Sequence, residues 1–220
     1  MITYDDVRNN DEINTYIEMA DNTMLAMGYT EHSFAHVTKV AFTASDILQK
    51  LEYDERTCEL AKIAGHLHDI GNVVNRNDHA QSGALIAYRL LDKLGMDSLE
   101  IATVISAIGN HDEGTAVAVS PIAAALIIAD KSDVRRSRVR QSDMQILADI
   151  HDRVNYAVES SELIFGPDAE TITLELSIDT GKCAVMDYFE IFLKRMLLCK
   201  KAADYLGPQF RLRINGSVLL

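Results

Sequence analysis

Through most of the first 157 positions apolar residues recur at intervals of three and four, the spacing of a helix with one buried face. This pattern predicts helices over residues 11–27, 33–51, 56–69, 79–94, 98–109, 121–137 and 143–157. The segment 56–69 is representative: Cys58, Leu60, Ala61, Ile63, Ala64 and Leu67 line one stripe, and Gly71 is expected to end it in a left-handed conformation. Start signals accompany several of the others. They are Asp78 ahead of His79, Ser98, Ser120-Pro121, and the capping box formed by Ser142 and Gln145. Gly95 closes the helix before it, and the loop from Asn72 to Asp78 is polar and rich in Asn.

After about residue 158 the period shortens to two. Strands are expected at 161–165 and 171–178, the second alternating Ile172, Leu174, Leu176 and Ile178 with polar partners. A turn at Asp179-Thr180-Gly181 leads to a helix over 185–206 that stops at Gly207-Pro208. Phe210, Leu212 and Ile214 then alternate into a last strand before Asn215-Gly216. The fold class is therefore mainly α, a helical bundle over 1–157 with a small β-β-α-β extension over 158–220. That tail is too short to hold a core of its own and should pack on the helices. A plain structural extension is favoured over an oligomerisation or ligand-gating role, although a homo-oligomer remains compatible with it.

Composition narrows the class. The chain has 220 residues with 48% hydrophobic content and a mean hydropathy of −0.01, the profile of a chain with a sizeable core. No apolar run approaches the roughly 20 residues of a membrane helix. The first residues, Met1-Ile2-Thr3-Tyr4-Asp5-Asp6, are acidic, so no secretory signal is expected. A net charge of −12 argues against general binding to a nucleic-acid backbone. Cys58, Cys183 and Cys199 lack ligand spacing and lie in apolar surroundings, as reduced core cysteines of a cytoplasmic protein would.

The candidate chemistry centres on His68-Asp69, within the run Gly65-His66-Leu67-His68-Asp69-Ile70-Gly71. His36 lies upstream, and His79, His111 and Asp130 follow, giving nitrogen and oxygen donors of the kind first-row transition metals prefer. In the last turn of the 56–69 helix, His68 and Asp69 stand roughly 100° apart and can converge beyond the helix end, where the dipole favours a cation. Asp130 follows eight apolar residues, Ile122 to Ala129, and a carboxylate buried there needs a partner. A single His-Asp pair is commonplace, and a lone His on an apolar face is more often a core residue. It is the ordered set that points to a metal site. His66, two positions from His68, and His151, on a later polar helix, are expected at the surface. His32, four residues before His36 and so on the same helix face, is a candidate for a third metal or for proton transfer beside the site, with a surface or structural role slightly favoured.

In order, these residues resemble the HD superfamily of metal-dependent phosphohydrolases, over roughly residues 30 to 137. The resemblance implies an HD-domain helical bundle in which His36, His68, Asp69 and Asp130 bind a first metal. His79 and His111 would bind a second, with Asp69 bridging, and His68 and Asp69 would be the central catalytic pair. Asn110-His111-Asp112-Glu113-Gly114 is faintly similar to the HD-GYP cyclic-dinucleotide phosphodiesterases. Their Gly-Tyr-Pro element is absent here, however, and Asn72 replaces the Lys that often follows His-Asp-x-Gly, so cyclic di-GMP hydrolysis is not expected. Ala129-Asp130-Lys131-Ser132-Asp133-Val134-Arg135-Arg136 resembles the Ala-Asp-x-x-acid-x-x-Arg pattern of bacterial HD hydrolases that split dinucleoside polyphosphates. Carried over, Arg136 would hold a substrate phosphate, Asp133 would orient it or a water, and Lys131 would stand beside them. The competing reading of Lys131, Arg135, Arg136, Arg138 and Arg140 is a solvated basic face.

The expected activity is hydrolysis of a phosphate ester or anhydride in a small phosphorylated molecule, a nucleotide in the first instance. One or two divalent ions (Fe, Mn, Co, Ni or Zn) would lower the pKa of bound water from ~15.7 towards neutrality. Two other classes stay open: a di-iron HD-type oxygenase with the same ligand set, and a non-catalytic nucleotide sensor in which the tail transmits the signal.

Overall fold

The computed structural model describes residues 1–140 and 150–220, with only the backbone of His151. The chain divides into two compact units, Met1–Asp130 and Lys131–Leu220, whereas the sequence pattern places its change of character at residues 157/158.

The first unit is helical: α1 (Tyr4–Arg8), α2 (Asp11–Ala26), α3 (Phe34–Lys50), α4 (Glu55–Leu67), α5 (His79–Lys93), α6 (Ser98–Gly109) and α7 (Pro121–Ser132), the last running two residues past the boundary. The six expected helices starting between residues 11 and 121 are present, most within two residues of their expected ends. The short α1 was not expected, although its signal is in the sequence. Thr3 accepts from the Asp6 amide while the Asp6 carboxylate accepts from the Thr3 amide, a reciprocal cap. Ser98 proves to be the first residue of α6, and the cap is Asp97, which accepts from the amides of Leu99 and Glu100.

Two glycines set the distances that matter for function. At Gly65 on α4, a Cβ would lie 2.6 Å from the Ala41 Cα on α3, so the two helices cross almost backbone to backbone. Gly71, expected as a left-handed stop, is not among the residues with positive φ. It lies in a 3-10 turn, Ile70–Val73, and a Cβ there would collide with the His79 carbonyl and the Gly83 amide. Its hydrogen therefore permits contact between this turn and the start of α5, rather than a change of backbone handedness.

The second unit opens with the end of α7. The helix expected to continue to residue 137 stops at Ser132. Asp133, wholly buried, accepts from Arg135 Nε at 2.9 Å, and its own carbonyl accepts from Arg138 Nη1 at 3.0 Å. These local bonds offer the backbone an alternative to the helix, and Arg135 is extended before a 3-10 turn at Arg136–Arg138. The next helix is α8 (Ile150–Ala157); residues 143–149 of the expected helix, with the Ser142–Gln145 capping box, lie outside the described residues. Four strands follow, β1 (Val158–Phe165), β2 (Thr171–Ile178), β3 (Gln209–Ile214) and β4 (Ser217–Val218), with α9 (Val185–Leu206) between β2 and β3. The sheet order is β1-β2-β3-β4. β2 pairs antiparallel with β1 and parallel with β3, the pairing that the α9 crossover allows. Ile172, Leu174, Leu176 and Ile178 are buried as their alternation predicts, with Phe210, Leu212 and Ile214 beside them and Tyr188, Phe192, Met196 and Cys199 inward on α9. Among the described residues no helix is long and apolar enough to cross a membrane.

Candidate metal centre

Five histidines converge within the first unit, each delivered by a different piece of local structure. His36 lies in the first turn of α3, His68 caps the end of α4, His79 opens α5, and His111 follows the end of α6. His32 lies before α3, whose cap is Ser33, so it is on the approach to the helix and not one turn back on its face. Asp69 follows His68 at the head of the 3-10 turn, and Asp130 lies in α7, whose first turn is capped by Ser120. His36, His68, His79 and His111 are fully buried, Asp69 nearly so, and the Asp130 side chain is 12% exposed.

Their ring orientations are fixed from behind. The Nδ1 of His68 lies 2.8 Å from the Gly65 carbonyl, that of His79 3.0 Å from the Arg76 carbonyl, and that of His111 2.6 Å from the Ile108 carbonyl. A carbonyl only accepts, so each Nδ1 carries a proton and each Nε2 faces inward, where its lone pair serves a cation once any second proton has left. His32 repeats the device, with Nδ1 2.6 Å from the Thr30 carbonyl.

The inward atoms gather around the Asp69 carboxylate. Its Oδ2 lies 3.5 Å from His36 Nε2 and 3.2 Å from His68 Nε2, with His32 Nε2 at 3.9 Å. Its Oδ1 faces the other way, 3.4 Å from His79 Nε2 and 4.0 Å from His111 Nε2. Asp130 Oδ1 joins the first side, 3.5 Å from His36 Nε2 and 3.7 Å from His68 Nε2. His79 and His111 bring their Nε2 atoms to 3.3 Å of each other. Asn72, buried, donates its amide to the Asp69 carbonyl at 2.9 Å and to Oδ1 at 3.0 Å, and so sets the carboxylate's tilt.

These spacings suit a shared cation better than a hydrogen-bond network. Two donors each about 2.1 Å from one ion stand about 3.0 Å apart at a right angle and about 3.4 Å apart at the tetrahedral angle. His68 Nε2 is buried and makes no hydrogen bond, although two carboxylates lie within 4 Å of it. The triads His36–His68–Asp130 and His68–Asp69–His111 each present donor atoms within 4.8 Å of one another. The donor set, imidazole and carboxylate, fits a divalent transition metal.

The electrostatics describe what a cation would displace. Burial works against charge on His68, but the Asp69 charge and contacts with Asp130 outweigh it and raise its pKa to about 10. Burial likewise opposes charge on Asp69, yet the charge of His68 and the close approach of His36, His68 and His79 hold it well below the usual carboxylate range. The pocket thus favours a bound positive charge, and metal binding there would release a proton.

Of the other residues singled out in the sequence, Lys131 is buried, and Asp133 is taken up with Arg135 and Arg138. Arg136 donates from Nε to the Tyr156 carbonyl at 2.7 Å, with its guanidinium 5.0 Å above the Tyr156 ring and 3.7 Å from Glu159. His66 is a correction: it is 3% exposed, packed edge-on to Tyr4 at 5.4 Å, and neither ring nitrogen has a hydrogen-bond partner. It points away from the metal-facing atoms, but the close approach of α3 and the packing of α1 on α4 cover it. The side chain of His151 lies outside the described residues. Sequence reasoning missed Arg76 and Asp112. Arg76 Nη1 lies 3.3 Å from His79 Nε2 and 3.9 Å from Asp69 Oδ1, and Asp112 Oδ1 lies 3.8 Å from His79 Nε2. Their signal was adjacency, since Arg76 is the one basic residue in the Asn72–Asp78 loop and Asp112 follows His111 directly.

Among known families, the HD domain matches residues 33–158. The chain is also similar to the uncharacterized protein MJ1020 of Methanocaldococcus jannaschii, at 26% identity over 196 residues that span 79% of this chain and 74% of that protein.

Proposed function

The chain belongs to the HD domain family, and we propose that within it the protein is a metal-dependent phosphohydrolase acting on a phosphate ester or anhydride, with a nucleotide as substrate. The observation that carries this reading is the posture of Asp69. One carboxylate oxygen faces His36 and His68 and the other faces His79 and His111, which is how a carboxylate must stand to be shared by two ions. His36, His68 and Asp130 would complete the first position, and His79 and His111 the second.

Ions held there would supply an acidified water as nucleophile and positive charge against the phosphoryl oxygens as attacking and leaving groups move in line. The chain's residues supply the frame. The backbone carbonyls behind His68, His79 and His111 keep each lone pair aimed, so little reorganisation is left for the reaction itself. Asn72 holds Asp69 in its shared posture. The lack of a Ser or Cys nucleophile motif agrees with direct attack by water.

The test is phosphate release from mono-, di- and polyphosphate nucleotides by protein loaded in turn with manganese, iron, cobalt and nickel. Turnover of at least one nucleotide with one of these ions is expected. Oxygen consumption dependent on reduced iron, with no phosphate released from any nucleotide, would overturn the proposal in favour of an oxygenase.

A further inference from the structure

Resting on the phosphohydrolase reading, we infer that Arg76 is a substrate-binding residue whose guanidinium holds phosphoryl oxygens of the substrate beside the candidate metal ligands. Arg76 lies in the loop between the 3-10 turn and α5, and its backbone carbonyl is the acceptor that orients His79. Its guanidinium therefore cannot drift far from the second metal position. The side chain is 23% exposed, whereas the His79 side chain is 2% exposed, so Arg76 stands on the solvent side of the ligands, where a substrate must arrive.

The present contacts leave its hydrogen-bonding capacity poorly used. Nη1 donates to Asn72 Oδ1 at 3.4 Å and to His79 Nε2 at 3.3 Å, both long. The carboxylates of Asp69 and Asp112 are each 3.9 Å away, beyond hydrogen-bond distance. The exposed Tyr29 ring lies 5.9 Å from the guanidinium carbon and backs it with a weakly attractive face. A guanidinium normally presents a rigid fork of five donors to a planar oxyanion. Here the fork reaches none at bonding distance.

Charge balance names the missing partner. Two divalent ions held there would, with Arg76, bring five positive charges against three from Asp69, Asp112 and Asp130, so the site would stay positive even with a hydroxide bound. An anionic phosphoryl group offsets that excess.

The probe is inorganic orthophosphate, titrated by calorimetry into the manganese-loaded protein, with bound manganese counted in every sample. Arg76→Ala should bind orthophosphate about 10- to 100-fold more weakly, the loss of one charge-assisted contact, with Arg76→Lys in between. Manganese content should be unchanged in both. Unaltered orthophosphate affinity in Arg76→Ala overturns the inference, as does failure of the wild type to bind orthophosphate. Loss of manganese in both variants overturns it too, because Arg76 would then serve the ligand frame alone. If the wild type binds orthophosphate through Arg76 yet releases none from any nucleotide, the hydrolase reading fails and the anion site stands.

Discussion

In the first unit His36, His68, His79, His111 and Asp69 bury their polar atoms and bring them round one another at 3.2–4.0 Å. His68 Nε2 has no hydrogen bond although two carboxylates lie within 4 Å. In the second unit Asp133 is just as buried, but Arg135 Nε sits 2.9 Å from its carboxylate and Arg138 Nη1 3.0 Å from its carbonyl. Both clusters hold charge away from water. They differ in geometry, since the second closes on its own residues at hydrogen-bond distance and the first leaves donor atoms at the spacing of a shared ion. Burial of a charged group alone therefore does not mark a site. Converging lone pairs with a gap of ionic size between them do.

Removing one carboxylate from each cluster should separate them. Asp69→Ala is expected to abolish metal binding and turnover together, since it deletes the shared ligand; metal analysis and phosphate release on the folded variant check both. Asp133→Ala should leave metal content intact but cost about 1–3 kcal/mol in stability, the loss of the charged acceptor of Arg135 Nε and of the carboxylate beside Arg138. Asp69→Ala should cost less than that in a denaturant titration. His68 is held charged chiefly by Asp69 and can shed its proton once Asp69 is gone, whereas Arg135, which loses its carboxylate in Asp133→Ala, cannot shed its own. Full metal occupancy in Asp69→Ala would break the comparison, and so would a larger stability loss there than at Asp133.

His66 is a third kind of buried polar group, with neither a partner nor a converging neighbour. Burial, with help from the charges of His68 and Arg8, pushes its pKa down to about 4. An unfolded histidine titrates near 6.5, so between these values the unfolded chain binds the extra proton. The stability His66 permits is thus fully present above about pH 6.5 and is lost as pH falls towards 4, by up to about 3 kcal/mol. His68, raised to about 10, acts on the other side: its contribution is complete below 6.5 and fades as pH climbs through 10. Of these two histidines, His66 is the one that acts on the acid side. Replacing it with Leu, which needs no partner beside Tyr4, should flatten the dependence of stability on pH between 4 and 6.5, as thermal melts across that range would reveal. An unchanged slope would place the acid sensitivity elsewhere.

The helices of the first unit and the β-β-α-β order of the second were legible because each rests on local periodicity and turn chemistry. Six dispersed residues could be grouped because histidine and aspartate are the donors a metal asks for. The depth of His66 was not legible, because it depends on α1 packing against α4 and on the Gly65–Ala41 crossing, both contacts between distant segments. Gly71 was noticed for the wrong property: the sequence shows a glycine after a helix, but only the position of His79 shows why a Cβ is excluded. Arg76 escaped because a lone arginine in a polar loop carries no periodic signal. What gives it meaning is the lone pair of His79 beside it.

The smallest expected effect concerns Arg136, which the basic run after Asp130 marks as a phosphate ligand by resemblance. The extension of α7 that would have carried it two turns beyond Asp130 is absent, and its Nε donates to the Tyr156 carbonyl at 2.7 Å. With its guanidinium also over the Tyr156 ring, Arg136 has structural work within the second unit whether or not it meets substrate. Arg136→Ala should therefore lower stability by about 1 kcal/mol, one hydrogen bond and one exposed cation–π contact partly offsetting lost side-chain entropy. A role in phosphate recognition would add a selective effect on top, a higher KM for nucleotides with several phosphates than for a small phosphodiester. Parallel kinetics on the two substrate types, beside a denaturation curve, separate the contributions. Equal changes on both substrates would assign Arg136 to the paired, structural side of the comparison, with Asp133, and a selective change would move it to the other.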